Sequence, residues 1–346
     1  MSYSTIDKPT DYFNNKLFTG NGGTNAITGV GFQPDFTWIK NRSRVEDNVL
    51  YDAVRGVTKR LESNTTDAED TKSNGLTAFG TDGFTVGSAG QNNYNGDNIA
   101  SWNWLGANGT ASNSNGSITS TVSANTTSDF SIVSYTGNGT SGATVGHGLG
   151  SVPAVIIVKQ YSSNGGTLNW QMYHQSLGNT KTISINLSDD EYGADNRWNN
   201  TSPTSSLFSL GNGDETNNNT VSYIAYCFAP KTGYSKFGSY TGNGNADGTF
   251  IYTGFKPAFV MIKNSTTNGT AWTICDNKRA GYNAANYRLA PDNTNVESIS
   301  NAWEMYSNGF KMTSTGSRVN TSGNNYIYMA FGQTLVGSNN IPATAR

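Results

Sequence analysis

General acid–base and metal chemistry draw first on histidine and cysteine, and this chain of 346 residues has only two of each: His147, His174, Cys227 and Cys275. His147 lies in VGHGLG, a glycine-flanked turn, and reads as a structural or solvent-facing residue. His174 follows Trp170 and Tyr173 in WQMYHQSL and reads as a hydrogen-bonded strand residue. No CxxC, HxxxH or HExxH spacing accompanies either, so no metal centre is expected. Both cysteines sit in apolar runs, AYCFA and WTICD, where a thiol behaves as a small hydrophobe; buried thiols are favoured over a bridge.

Hydrolysis of a sugar needs two carboxylates facing each other across the bond. Acidic clusters stand at Asp67, Glu69 and Asp70 and at Asp189, Asp190 and Glu191, both in polar, turn-rich stretches that read as solvated loops with no counterpart in the rest of the chain. Gly137-Asn138-Gly139-Thr140-Ser141-Gly142 has the GxGxxG spacing of a phosphate cradle, but no helix follows, so it reads as a turn. Asn243, Asn245 and Asp247 imitate the start of a calcium loop whose twelfth position is Gly254 instead of a bidentate Glu. No catalytic residues and no cofactor are expected. A binding platform is the remaining chemistry, because a flat ring stacks on the apolar face of a sugar while polar neighbours take its hydroxyls. The candidate for glycan or receptor contact is Tyr192, Asp195, Asn196, Arg197 and Trp198 in DDEYGADNRWNNTS.

The elements that carry these residues follow from composition. Asn (45), Thr (42), Gly (40) and Ser (37) outnumber everything else, and charged residues are only 13%. Such a chain lacks the material of long amphipathic helices, whereas 12% aromatics with Val, Ile and Thr suit short strands. An all-β fold is expected. The formal charge of −2 with no block of like sign argues against nucleic acid as a partner. The N-terminus shows no secretory leader, and no apolar run approaches the ~18 residues of a membrane span, so membrane insertion is not expected.

Three anchors recur in constant order: an aromatic with TGNG (Phe18–Gly22, Tyr135–Gly139, Tyr240–Gly244), an apolar run ending in lysine (Lys40, Lys159, Lys263), and a closing aromatic run around Ala100, Ala225 and Ala330. The lysines are 119 and 104 residues apart and the first glycines of the turn 117 and 105, which predicts three units of one kind. The division reads as an N-terminal segment 1–15, β-sandwich (jelly-roll-like) repeats at 16–107, 127–231 and 232–336 in series, a Ser/Thr/Asn/Gly linker at 108–126, and a C-terminal tail 337–346. Trp38, Ile39, Val155, Ile157, Phe259 and Met261 are candidate core, with Trp170 and Trp272 at corresponding buried positions. Residues 46–62 carry helical spacing, but the aligned TICDNKRAGYNAANYRL does not; strand, turn at Gly56 and strand is favoured there over a helix.

DKPTDYFNNKLFTGNG, GFQPDFTWIKNRS, LYDAVRG, SNGSITSTVSANTTSDFSIVSYTGNG, ATVGHGLGSVPAVIIVK, FGSYTGNG and YTGFKPAFVMIK resemble tail-fibre and related structural proteins of tailed bacteriophages, common among marine phages, from about residue 6 to about residue 336. The resemblance implies a virion component on the exterior of the particle and brings no catalytic residues. By analogy with fibres it implies a homo-oligomer, a trimer, beside other virion proteins. Three functions are in competition: a fibre or spike that attaches the particle to a host-surface glycan, a capsid decoration or tail adaptor without receptor binding, and a fibre-borne depolymerase acting through the clusters around Asp67 or Asp189.

Overall fold

The computed structural model describes residues 5–333 except 163, 165, 280–282 and 284, and for Asp195 and Ala285 the backbone alone. It is an all-β fold in which every paired strand runs antiparallel to its neighbour. Each repeat contributes four equivalent strands to an inner sheet, in the same spatial order. First comes the strand leading into TGNG (Phe13–Thr19, Phe130–Thr136, Ser235–Thr241), then the closing strand (Asn98–Trp104, Ser222–Phe228, Asn325–Gly332). The lysine strand follows (Phe36–Asn41, Val155–Gln160, Pro257–Asn264), then a fourth strand (Asn48–Asp52, Gln171–His174, Thr273–Asp276). A smaller outer sheet covers one face of each, and an apolar cluster fills each sandwich.

The other faces of the three inner sheets meet one another. Trp38, Trp102 and Trp104 from the first repeat, Ile157, Trp170, Tyr226 and Phe228 from the second, and Phe259, Met261, Trp272 and Phe331 from the third belong to one continuous cluster. Ring pairs cross all three boundaries: Phe36 on Tyr226 at 4.2 Å, Phe228 on Phe331 at 5.7 Å and Phe13 on Phe331 at 5.0 Å between centroids. The expected rod of sandwiches in series is thereby replaced by three sandwiches closed around a common core. The reason is solvent: lysine strands such as Val155–Gln160 are buried at every position, so both faces of each inner sheet must be covered.

The expected linker is also structure. Ala111–Asn113 and Ser120–Asn125 add two strands to the edge of the second sheet, and Ser120, Val122 and Ser123 are buried there. Ser120 Oγ donates to the Gly146 carbonyl and Ser123 Oγ accepts the Ala107 amide, so the small hydroxyl residues buried at this edge are satisfied. The tail 337–346 lies outside the described residues. In 46–62 the chain runs as strand Asn48–Asp52, a turn with Gly56 at φ +96°, and strand Lys59–Glu62. All eight candidate core residues are buried.

The TGNG turns show why both glycines recur. A Cβ on Gly20, Gly137 or Gly242 would lie 2.1, 2.4 or 2.2 Å from a carbonyl oxygen, and Gly22, Gly139 and Gly244 have φ near +70°. Each turn is held by one asparagine, Asn93, Asn217 or Asn320, whose Oδ1 accepts the amide of the turn asparagine at 2.9–3.0 Å. In Gly137-Asn138-Gly139 the amides of both glycines donate to the chain's own carbonyls, so they offer nothing to a phosphate.

Candidate functional site

Where one repeat meets the next, a charged strand end is buried under a neighbour's loop. Lys40, Lys159 and Lys263 are at most 1% exposed. Each ammonium donates to backbone carbonyls, one of them in the adjoining repeat: Lys40 to Thr294 (2.9 Å), Lys159 to Thr66 (2.7 Å) and Lys263 to Ser188 (2.9 Å). Two residues beyond each lysine the backbone carbonyl accepts an amide from the same loop, Arg42 from Glu297, Tyr161 from Glu69 and Ser265 from Glu191. The three crossings close a ring: first repeat to third, third to second, second to first.

These glutamates correct the expectation that the acidic clusters have no counterpart. Glu69, Glu191 and Glu297 stand at one equivalent position, which unequal insertions hide: they follow their lysines by 29, 32 and 34 residues. Glu69 receives Arg55 Nη1 at 3.1 Å, and Glu297 receives Arg279 Nη1 at 3.0 Å and a fork from Arg42 of the first repeat. Arg55 and Arg279 each pair in turn with a buried aspartate on the fourth strand, Asp52 and Asp276, at 2.6 and 2.7 Å. Those aspartates take a donor from the next repeat, Tyr226 hydroxyl at 2.8 Å and Trp102 Nε1 at 3.0 Å. His174 occupies the same position in the second repeat, with Nε2 3.2 Å from the Tyr328 carbonyl. Burial pushes this imidazole down to about 4. His147 is likewise buried, against the Thr204 carbonyl at 3.1 Å. Both histidines are buried in the scaffold, and Asp52, Glu69, Asp276 and Glu297 are ion-pair partners at the junctions.

Burial lowers all three lysines to about 8. An unfolded lysine keeps its ordinary value near 10.5, so between about pH 8 and 10.5 the unfolded chain binds more protons and stability rises with pH. Denaturant unfolding should show a gain on the order of 1–2 kcal/mol per lysine between pH 8 and 9.5. Above pH 10 the slope should reverse, because burial raises Tyr135, Tyr226 and Tyr240 and the unfolded tyrosines ionise first. Lys159→Met should remove on the order of 1–2 kcal/mol of the rise, against which Cys227 and Cys275, both raised by burial, pull the other way; stability that is flat from pH 8 to 9.5 would contradict this account.

The aromatic platform expected at 192–198 is not open. Trp198 is 2% exposed and meets Tyr173 edge-on at 6.0 Å, so its face cannot stack on a sugar. Asp195–Trp198 is a single helical turn that points Asn196 outward and turns Trp198 into the second repeat's core. Arg197 is spent on Glu215 (2.6 Å) and Gln171 (3.1 Å), and the Tyr192 hydroxyl on Ser184 (2.7 Å) and Gln171 (3.0 Å).

Open pockets lie in the first and third repeats. One of about 210 Å³ is lined by Arg60, Glu62, Thr65, Asp67, Ala68 and Asp70. Another of about 310 Å³ is formed by Arg288, Ala290, Asn293, Asn295, Val296 and Ser298 together with Val45, Leu289 and Arg318. Strand pairing gives the correspondence: Arg60 lies opposite Asp70, Thr182 opposite Tyr192, and Arg288 opposite Ser298. The pockets are therefore one site in two repeats, and in the second repeat Tyr192 stands at that place.

Among the described residues no cluster of three or more His, Cys, Asp or Glu is arranged to hold a metal ion. Among them, too, no helix is long and apolar enough to cross a membrane. No curated protein and no solved structure matches the chain. The model of one family, described as domain of unknown function DUF7483, matches residues 8–334 and so spans all three repeats and their closed core; the chain belongs to that family.

Proposed function

We propose that the protein is a structural virion component of a tailed bacteriophage, a tail-fibre or spike part on the outside of the particle that attaches it to a host surface. The resemblance of its long sequence blocks to such proteins carries the reading. The blocks fall on the scaffold: GFQPDFTWIK and GFKPAFVMIK lead into buried lysines, and LYDAVRG contains the Asp52–Arg55 pair. A closed ring of sandwiches suits a part that must hold its shape outside a cell. Phe250, Tyr252 and Ile299, all exposed on the third repeat's outer sheet, supply apolar surface for contacts in a homo-oligomer, a trimer by the fibre analogy, or with other virion proteins. Weak contacts with surface glycan, repeated over several copies, would then act through avidity.

A capsid decoration or tail adaptor is the second reading, and the cyclic closure favours it to the extent that one chain already offers three similar faces to a symmetric partner. The separating experiment is adsorption. Saturating antibody against the assembled protein should block binding of intact phage to its host, while purified protein should leave the chain length of host polysaccharide unchanged. Normal adsorption under antibody would point to decoration, and shortened polysaccharide to an enzyme.

A further inference from the structure

The two equivalent pockets differ in one respect that chemistry can read. In the first repeat the guanidinium of Arg60 is forked onto the carboxylate of Asp70, Nε to Oδ1 at 2.9 Å and Nη2 to Oδ2 at 2.8 Å, with Glu62 at 3.1 Å. In the third repeat the arginine is kept as Arg288 while its partners are gone. Ser298 replaces Asp70, Ala290 replaces Glu62 and Asn295 replaces Asp67. Arg288 Nε is buried without a hydrogen-bond partner among the described residues. A second arginine is added: Arg318 lies two residues before the turn-binding Asn320, where the first repeat has Gln91 before Asn93. Burial and the charge of Arg318 both disfavour the charged form of Arg288. Asp292, within reach of the charges of Lys263 and Arg318, is not among the residues lining the pocket, and burial pushes it up to about 6.

We infer that the third-repeat pocket, bordered by Val45 of the first repeat, binds the carboxylate of an acidic sugar such as a uronic acid between the guanidinium groups of Arg288 and Arg318. The carboxylate of Asp70 marks the geometry, since a guanidinium pairs with a planar carboxylate through two parallel bonds. Asn293, Asn295 and Ser298 supply hydrogen-bonding groups for hydroxyls, and exposed Val45 and Val296 offer apolar contact to ring C–H groups. The inference names the ligand class of the attachment reading and rests on it for its biological sense.

The test titrates the full-length protein with D-glucuronate, D-glucose and inorganic sulfate, following heat or ligand NMR signals. Glucuronate should bind, and glucose and sulfate should bind at least about tenfold more weakly. Ser298→Asp restores the internal carboxylate and should lower glucuronate affinity roughly tenfold or more while the melting temperature holds or rises. Arg318→Gln should weaken it several-fold. No glucuronate binding, binding unchanged in Ser298→Asp, or sulfate binding as tightly as glucuronate would each overturn the proposal. Should glucuronate binding vanish in Ser298→Asp while phage carrying that variant adsorb normally, the site stands and the attachment reading falls.

Discussion

Arg279→Ala should destabilise the protein by about 3–5 kcal/mol, the scale for removing one partner of a buried ion pair. Arg279 is buried and satisfies three acceptors through its side chain: Asp276 at 2.7 Å, Glu297 at 3.0 Å and the Ile274 carbonyl at 2.9 Å. Its loss leaves Asp276 without its guanidinium and Glu297 held by Arg42 alone, at the seam between third and first repeats. The second repeat shows that the position need not be charged, because His174 and Leu177 stand there instead. Arg279→Leu with Asp276→Asn should therefore cost less than the sum of the two single changes, with a coupling of at least about 1 kcal/mol in a double-mutant cycle. Additive losses in denaturant unfolding would show that the pair does not act as a unit.

Trp272→Ala should cost about 3–5 kcal/mol, from lost burial and the cavity left behind. Its ring belongs to the common core at 1% exposure, and Nε1 donates to the Ser184 carbonyl of the second repeat at 3.1 Å. Trp170 makes the corresponding bond to Glu62 of the first repeat at 3.0 Å, and Asn48, at the third such position, donates to the Ala290 carbonyl at 3.1 Å. Because the side chain serves two repeats, calorimetry of the variant should show one transition moved to lower temperature. A separate early transition confined to the third repeat would mean the sandwiches are energetically independent.

Much of the interior of each repeat was legible in the sequence. Asn-Gly turns, apolar runs of strand length and the order of the anchors placed the inner strands of every unit, because these are local signals. The relation between units was not local, and the reading went wrong there. A hint was present: PAVIIVK and PAFVMIK have no alternation of polar with apolar residues, as a sandwich exposed to water on its outer faces would require. The candidate site failed for a different reason. Around Trp198 the sequence neighbours are polar, but Asn196 and Trp198, two residues apart on a helical turn, face opposite ways, one to water and the other inward. The pair Arg60–Asp70 and its broken counterpart Arg288–Ser298 are joined by cross-strand register across a loop; the ten-residue spacing is the same in every repeat, but with Arg, Thr and Arg facing Asp, Tyr and Ser no shared residue type marks it.

The closing of the ring has a bearing on how the chain is made. Arg42 must meet Glu297, and Trp102 must meet Asp276, so the seam between the first and third repeats is closed by residues more than half the chain away. During synthesis the first repeat, and then the second, emerges with an aromatic face bare. Contacts of such long range are slow to form, since the loop entropy is lost before they reward it. The same seams that delay completion must all open together for the molecule to come apart, which gives the folded chain a long lifetime afterwards.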